Sequence, residues 1–91
     1  MAVTVRIPTQ LRELCGGAAE VSADGATVTD VLKDLESQHP GFAERLFDES
    51  GELRRFVNVF VADEDIRFLD GVNTATADGT TISIVPAVAG G

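Results

Sequence analysis

A single segment of this 91-residue chain has an apolar stripe long enough for an amphipathic helix. Val28, Val31, Leu32 and Leu35 recur at i, i+3, i+4 and i+7, while Lys33, Asp34, Glu36 and Ser37 fall on the other side. Thr27 and Asp30 have the spacing of a capping box, with Asp in place of the commoner Glu. His39-Pro40-Gly41 stops the helix, because the residue before proline is pushed out of the α region. One helical stripe cannot bury itself, so the remaining chain must supply the surface it packs on.

That surface reads as strands. Val3, Val5 and Ile7 alternate with Thr4 and Arg6 until Pro8, which cannot donate to a ladder. Gly16-Gly17 permits a turn into a weaker strand at 19–23, closed by Asp24-Gly25. After the helix come a short helical stretch at 42–47 and a solvated acidic loop at 48–52. The strongest strand signal is 56–61, with Val57, Val59 and Val61 on one face and Phe56, Asn58 and Phe60 on the other. A turn at 63–65, a short strand at 66–68 and an irregular segment at 71–77 lead to Asp78-Gly79 and a last strand at 80–85. The order predicts an α+β fold, a mixed sheet of about four to five strands with one main helix packed across it.

Charge narrows the function classes. Fifteen acidic residues against seven basic ones leave a net charge of −8. Nucleic-acid binding needs many Lys and Arg contacts to phosphates, and an anionic membrane surface is repelled by such a chain. A basic protein partner suits it better. Cys15 is the sole cysteine, which excludes an intramolecular disulfide, and no apolar run approaches the roughly 18 residues of a membrane span. With no signal-like start in Met1–Arg6, a cytoplasmic protein, monomeric when free, is expected.

Candidate chemistry is sparse, with one His, one Cys and no Tyr or Trp. Cys15 reads as a small apolar residue, His39 as a helix-end residue, and Asp63-Glu64-Asp65 as a solvated turn lacking the glycine and distal Glu of a calcium loop. No metal site is expected. The chain end is more informative. Two terminal glycines arise by chance in about one chain in 200, so the dipeptide alone is compatible with a frayed end. Glycines also suit threading through a narrow slot, where side chains would clash and unusual backbone angles are needed.

The whole pattern, ending in Val85-Pro86-Ala87-Val88-Ala89-Gly90-Gly91, resembles the ubiquitin-like sulfur-carrier family of ThiS and MoaD. The segment Phe56-Val57-Asn58-Val59-Phe60-Val61-Ala62-Asp63-Glu64-Asp65-Ile66-Arg67 and the opening Val3-Thr4-Val5 with Ile7-Pro8-Thr9 are similar to its members in cysteine biosynthesis. The resemblance implies a β-grasp domain over residues 1–86 and a flexible tail over 87–91. It also implies that an ATP-dependent adenylating enzyme activates the Gly91 carboxylate and a sulfur donor converts it to a thiocarboxylate. A PLP-dependent cysteine synthase that takes O-phosphoserine would receive the sulfur, and a zinc metalloprotease would release the product. ATP, PLP and zinc then belong to partners, and the chain itself is a protein cosubstrate with no catalytic residues or bound cofactor. Val88, Ala89, Gly90 and Gly91 are the tail that enters partner active sites.

Alternation supplies a docking surface. If Val57, Val59, Val61, Ile82 and Ile84 face the helix, Phe60 and Val85 lie on the open sheet face, rimmed by Arg6 and Asn58. Phe60 either serves there as an exposed anchor or packs beneath a neighbouring loop. Delivery to another acceptor (molybdopterin, thiamine thiazole or a secondary-metabolite enzyme), lysine modification through Gly91, and a plain interaction domain are the competing functions.

Overall fold

The computed structural model describes residues 2–54 and 57–86. Strands β1 (Ala2–Arg6), β2 (Glu20–Asp24), β3 (Val57–Val61), β4 (Glu64–Asp65) and β5 (Thr81–Pro86) form one sheet in the order β2-β1-β5-β3-β4. β1 and β5 are parallel, and every other neighbouring pair is antiparallel. Helix α1 (Val28–Gln38) packs on one face, with a short α2 (Phe42–Leu46) beside it. This is the mixed sheet and single main helix that the sequence predicts, in the β-grasp arrangement.

Period-two and period-3.6 patterns meet in the core. Val3, Val5, Ile82, Ile84, Val57 and Val59 are buried on the sheet's inner face, against the equally buried Val28, Val31, Leu32 and Leu35 of α1. The Thr27 hydroxyl accepts from Asp30 N–H at 3.3 Å, so the cap forms as its spacing predicts. Gly25 is required by close approach: a Cβ there would lie 2.6 Å from Val31 N. On the outer side of α1, Asp34 Oδ2 accepts from Asp24 N–H at 2.9 Å and ties the helix to β2. Glu36 reaches forward to cap α2, accepting from Ala43 N–H at 2.8 Å.

Two assignments shift. The turn expected at 63–65 falls at Ala62-Asp63, whose φ values of 50° and 72° make a two-residue loop of the type that matches strand twist. Glu64–Asp65 is therefore strand rather than turn. The strand expected at 66–68 is a 3-10 helix, Ile66–Phe68, because the Asp65 carboxylate accepts from Arg67 N–H at 2.9 Å and caps it. A second addition is the 3-10 helix Thr9–Cys15, which follows Pro8 and carries the buried Leu11. Within 71–77, expected to be irregular, Gly71–Asn73 is a further 3-10 helix, and threonines hold the segment to α1 and to the turn before it. Thr29 Oγ1 donates to Val72 O at 2.9 Å, and buried Thr76 Oγ1 donates to Gly25 O at 2.9 Å. Among the described residues, no helix is long and apolar enough to cross a membrane.

Candidate functional site

The route to the chain end begins in the middle of the sheet. Thr81-Ile82-Ser83-Ile84-Val85 alternates so that Ile82 and Ile84 enter the core, and the strand is bonded to β1 on one flank and β3 on the other. Its last rung pairs Pro86 with Val57. The expected tail, with Val88, Ala89, Gly90 and Gly91, lies outside the described residues, as does Phe56. Five residues beyond Pro86 span at most about 18 Å.

The expected docking residues share the face turned away from α1. Arg6 on β1 registers with Ser83 on β5 and Glu20 on β2, while Ser83 registers with Phe60 on β3 and Phe60 with Asp65 on β4. One transverse row, Glu20–Arg6–Ser83–Phe60–Asp65, thus crosses all five strands. Asn58 stands opposite Val85 one step along toward the chain end. Exposure divides the apolar pair: Phe60 is half-buried, while Val85 is 45% exposed. Phe60 therefore falls between the two expectations for it, and Val85 is the more prominent of the two.

The surroundings of this row are polar. Arg6 Nε lies 3.5 Å from Glu20 Oε2 in a solvent-exposed pair, which contributes little to stability but holds the guanidinium on the row. Beside it, Arg6, Glu20, Asp63, Thr81 and Ser83 line a cleft of about 290 Å³. The row thus combines an apolar centre with hydroxyl, guanidinium and carboxylate groups, a composition suited to protein recognition. Side-chain parity predicts the shared face of Arg6, Asn58, Phe60 and Val85. It does not predict Glu20 and Asp65 as the row's ends, because strand order is absent from local patterning.

The remaining candidates have structural surroundings. Cys15 is half-buried against the core, with Sγ 3.4 Å from Ala18 O. His39 ends α1, its N–H donating to Leu35 O at 2.8 Å and its ring edge-on to Phe42. Asp48 organises the acidic loop, accepting from the Ser50 hydroxyl at 2.6 Å and from Glu52 N–H at 3.2 Å. These bonds, the Ser50 hydroxyl foremost, hold its carboxyl below the ordinary carboxylate range. Among the described residues, no group of three or more His, Cys, Asp or Glu side chains is placed to hold a metal ion.

Known proteins give the same geometry a family. The profile of the ThiS family matches residues 5–91. The chain is 55% identical to the sulfur carrier protein CysO of Mycobacterium tuberculosis over 93 aligned positions, covering 100% of both chains. Small archaeal modifier protein 3 of Haloferax volcanii is 47% identical over 68 residues, 75% of this chain and 73% of that one. The crystal structure of the Amycolatopsis orientalis BexX/CysO complex contains a chain that superposes with a TM-score of 0.91 at 52% identity, covering 98% of this chain and 99% of the other. A family match over nearly the whole sequence and a shared fold at this identity lead to one conclusion: the chain belongs to the ThiS family and has its ubiquitin-like β-grasp fold.

Proposed function

We propose that the chain is a sulfur carrier whose cargo is held at the Gly91 carboxylate and delivered for cysteine biosynthesis. The observation that carries this reading is the end-to-end identity with a protein named as a sulfur carrier. A carboxylate is a poor electrophile until its oxygen becomes a leaving group. Attack of the Gly91 carboxylate on ATP forms an acyl-adenylate and releases pyrophosphate. A sulfur donor then adds at the acyl carbon, AMP leaves, and a thiocarboxylate remains. That group is anionic near neutral pH, and its soft sulfur is the nucleophile offered to the acceptor.

The chain contributes position. β5, bonded on both flanks, is a rigid base from which Val88, Ala89, Gly90 and Gly91 extend into a partner's slot. Phe60 and Val85, with Asn58 and Arg6, supply the face that an adenylating enzyme grips. In this reading the acceptor is a PLP-dependent synthase using O-phosphoserine, and a zinc metalloprotease frees the finished cysteine. ATP, PLP and zinc are the partners' reagents, and the carrier works in the cytoplasm as a monomer. That a CysO chain was crystallised in complex with another protein supports a role exercised through partners.

Intact-protein mass spectrometry tests this after incubation with ATP, an adenylating enzyme and a sulfur donor. The expected result is exchange of one oxygen for sulfur, located at Gly91 by fragmentation and absent when Gly91 is deleted. No exchange in the intact chain, or full exchange without Gly91, would overturn the reading. The likeness to small archaeal modifier protein 3 favours a second use of the same activated end, attachment to lysines. An isopeptide-linked Gly91 in purified conjugates is its signature.

A further inference from the structure

The edge of the sheet displays a second apolar feature, separate from Phe60 and Val85. Phe68 is 87% exposed and Leu69 38%. Their backbone is fixed from three sides. The Asp65 carboxylate caps the turn, Leu69 N–H donates to Ile66 O at 3.0 Å, and buried Ile66 roots the segment in the core. Arg67 Nη2 adds a bond to Val57 O at 3.3 Å. A phenylalanine ring held in water by a well-anchored turn does nothing for the fold, since most of its apolar surface stays hydrated.

Its place is informative. β4 runs antiparallel to β3 toward the Val57 end, and Val57 forms the last rung with Pro86. The turn therefore stands at the end of the sheet where the chain leaves for Gly91, two strand spacings or roughly 10 Å from that exit. Gly91 is only five residues beyond Pro86, so an enzyme that takes the terminal carboxylate must bring its entrance within about 18 Å of the exit. A side chain projecting at this rim lies within that radius.

Charge selects the partner. Asp65 and Asp70 bracket the pair on the turn itself, against Arg67 alone, on a chain of net charge −8. A second copy would bring like charges together, whereas an apolar pocket edged by lysine or arginine would complement both features. We propose that Phe68 and Leu69, with these carboxylates, are a docking point for the enzyme that activates the C-terminal carboxylate, seated in a basic-rimmed apolar pocket beside its tail entrance. The proposal rests on the sulfur-carrier reading. A contact made away from the reacting carboxylate holds carrier and activated carrier alike, so its loss acts on KM and leaves kcat in place.

The test uses the full chain and its Phe68→Ser and Phe68→Leu variants, with adenylating enzyme, ATP and sulfur donor. Initial rates of thiocarboxylate formation are followed by intact mass across carrier concentrations. Phe68→Ser is expected to raise KM about tenfold at unchanged kcat, with Phe68→Leu recovering part of the loss. The Asp70→Asn variant should show a weaker rise of KM with salt than the parent chain. Its thermal midpoint and that of Phe68→Ser should match the parent. Equal KM for Phe68→Ser and the parent chain overturns the docking point while leaving the sulfur-carrier reading intact. Failure of the parent chain to acquire sulfur overturns both. A Phe68-dependent dimer in sedimentation would assign the patch to a second copy and also overturn it.

Discussion

The two faces of the sheet are made by the same strands and differ by one residue in phase. Toward α1 stand Val3, Val5, Ile82, Ile84, Val57 and Val59, all buried. Away from it stand Arg6, Ser83, Phe60, Asn58 and Val85, none fully buried. The inner face is uniform in chemistry, because it has only to exclude water and fill space. The outer face is mixed, with one half-buried ring, one exposed valine, an ion pair and two polar neighbours, Asn58 and Ser83. Core packing is thus confined to one set of alternate residues of β1, β3 and β5, and the other set is left to solvent or to whatever the proposed docking brings against it.

The largest test of that division is Ile82→Ala. The side chain is buried where β5 meets β1 and β3, so its truncation should cost about 2–5 kcal/mol, read as a lower denaturant midpoint. A cost below 1 kcal/mol would break the contrast from the inner side. Phe60→Ala probes the outer side. Half-buried, it should cost about 1–2 kcal/mol, while the chain stays folded and the rate of thiocarboxylate formation falls. An unchanged rate would leave the outer face without the role assigned to it.

Loop 48–52 belongs to neither face and supplies the smallest effect. Asp48 has its folded-state carboxyl below its unfolded value, through the Ser50 hydroxyl and the Glu52 N–H. The loop's bonds are therefore fully present above the ordinary carboxylate range and are lost as pH falls through the depressed value. Amide shifts of Ser50 and Glu52, followed on acidification, should move at a pH below that of a free aspartate. Asp48→Asn should remove the transition, and a midpoint at or above the ordinary value would contradict the assignment.

Much of this molecule is legible in its periodicities, and the illegible parts share a cause. The stripe Val28-Val31-Leu32-Leu35 and the alternation at 57–61 predict their elements within a residue or so, since both patterns are local. Segment 66–77 has no such period. Its conformation depends on Thr76 meeting Gly25 across 51 positions and Thr29 meeting Val72 across 43, contacts that exist only after the chain has folded. The outer face follows the same logic. Parity puts Arg6, Asn58, Phe60 and Val85 together, but the parallel pairing of β1 with β5 makes the five-strand row, and no local pattern encodes that. Phe68 shows the reverse error: counted as a strand residue, it loses the exposure that a capped 3-10 turn gives it.

The interior position of β5 has a mechanical consequence. Any machine that grips the last residues and pulls along the strand loads two ladders at once, the parallel one to β1 and the antiparallel one to β3. Hydrogen bonds lying across the direction of force share the load in shear, and an interior strand has such a ladder on each flank where an edge strand has one. A pull on the end of this chain is therefore resisted by both ladders together before the domain behind it unravels.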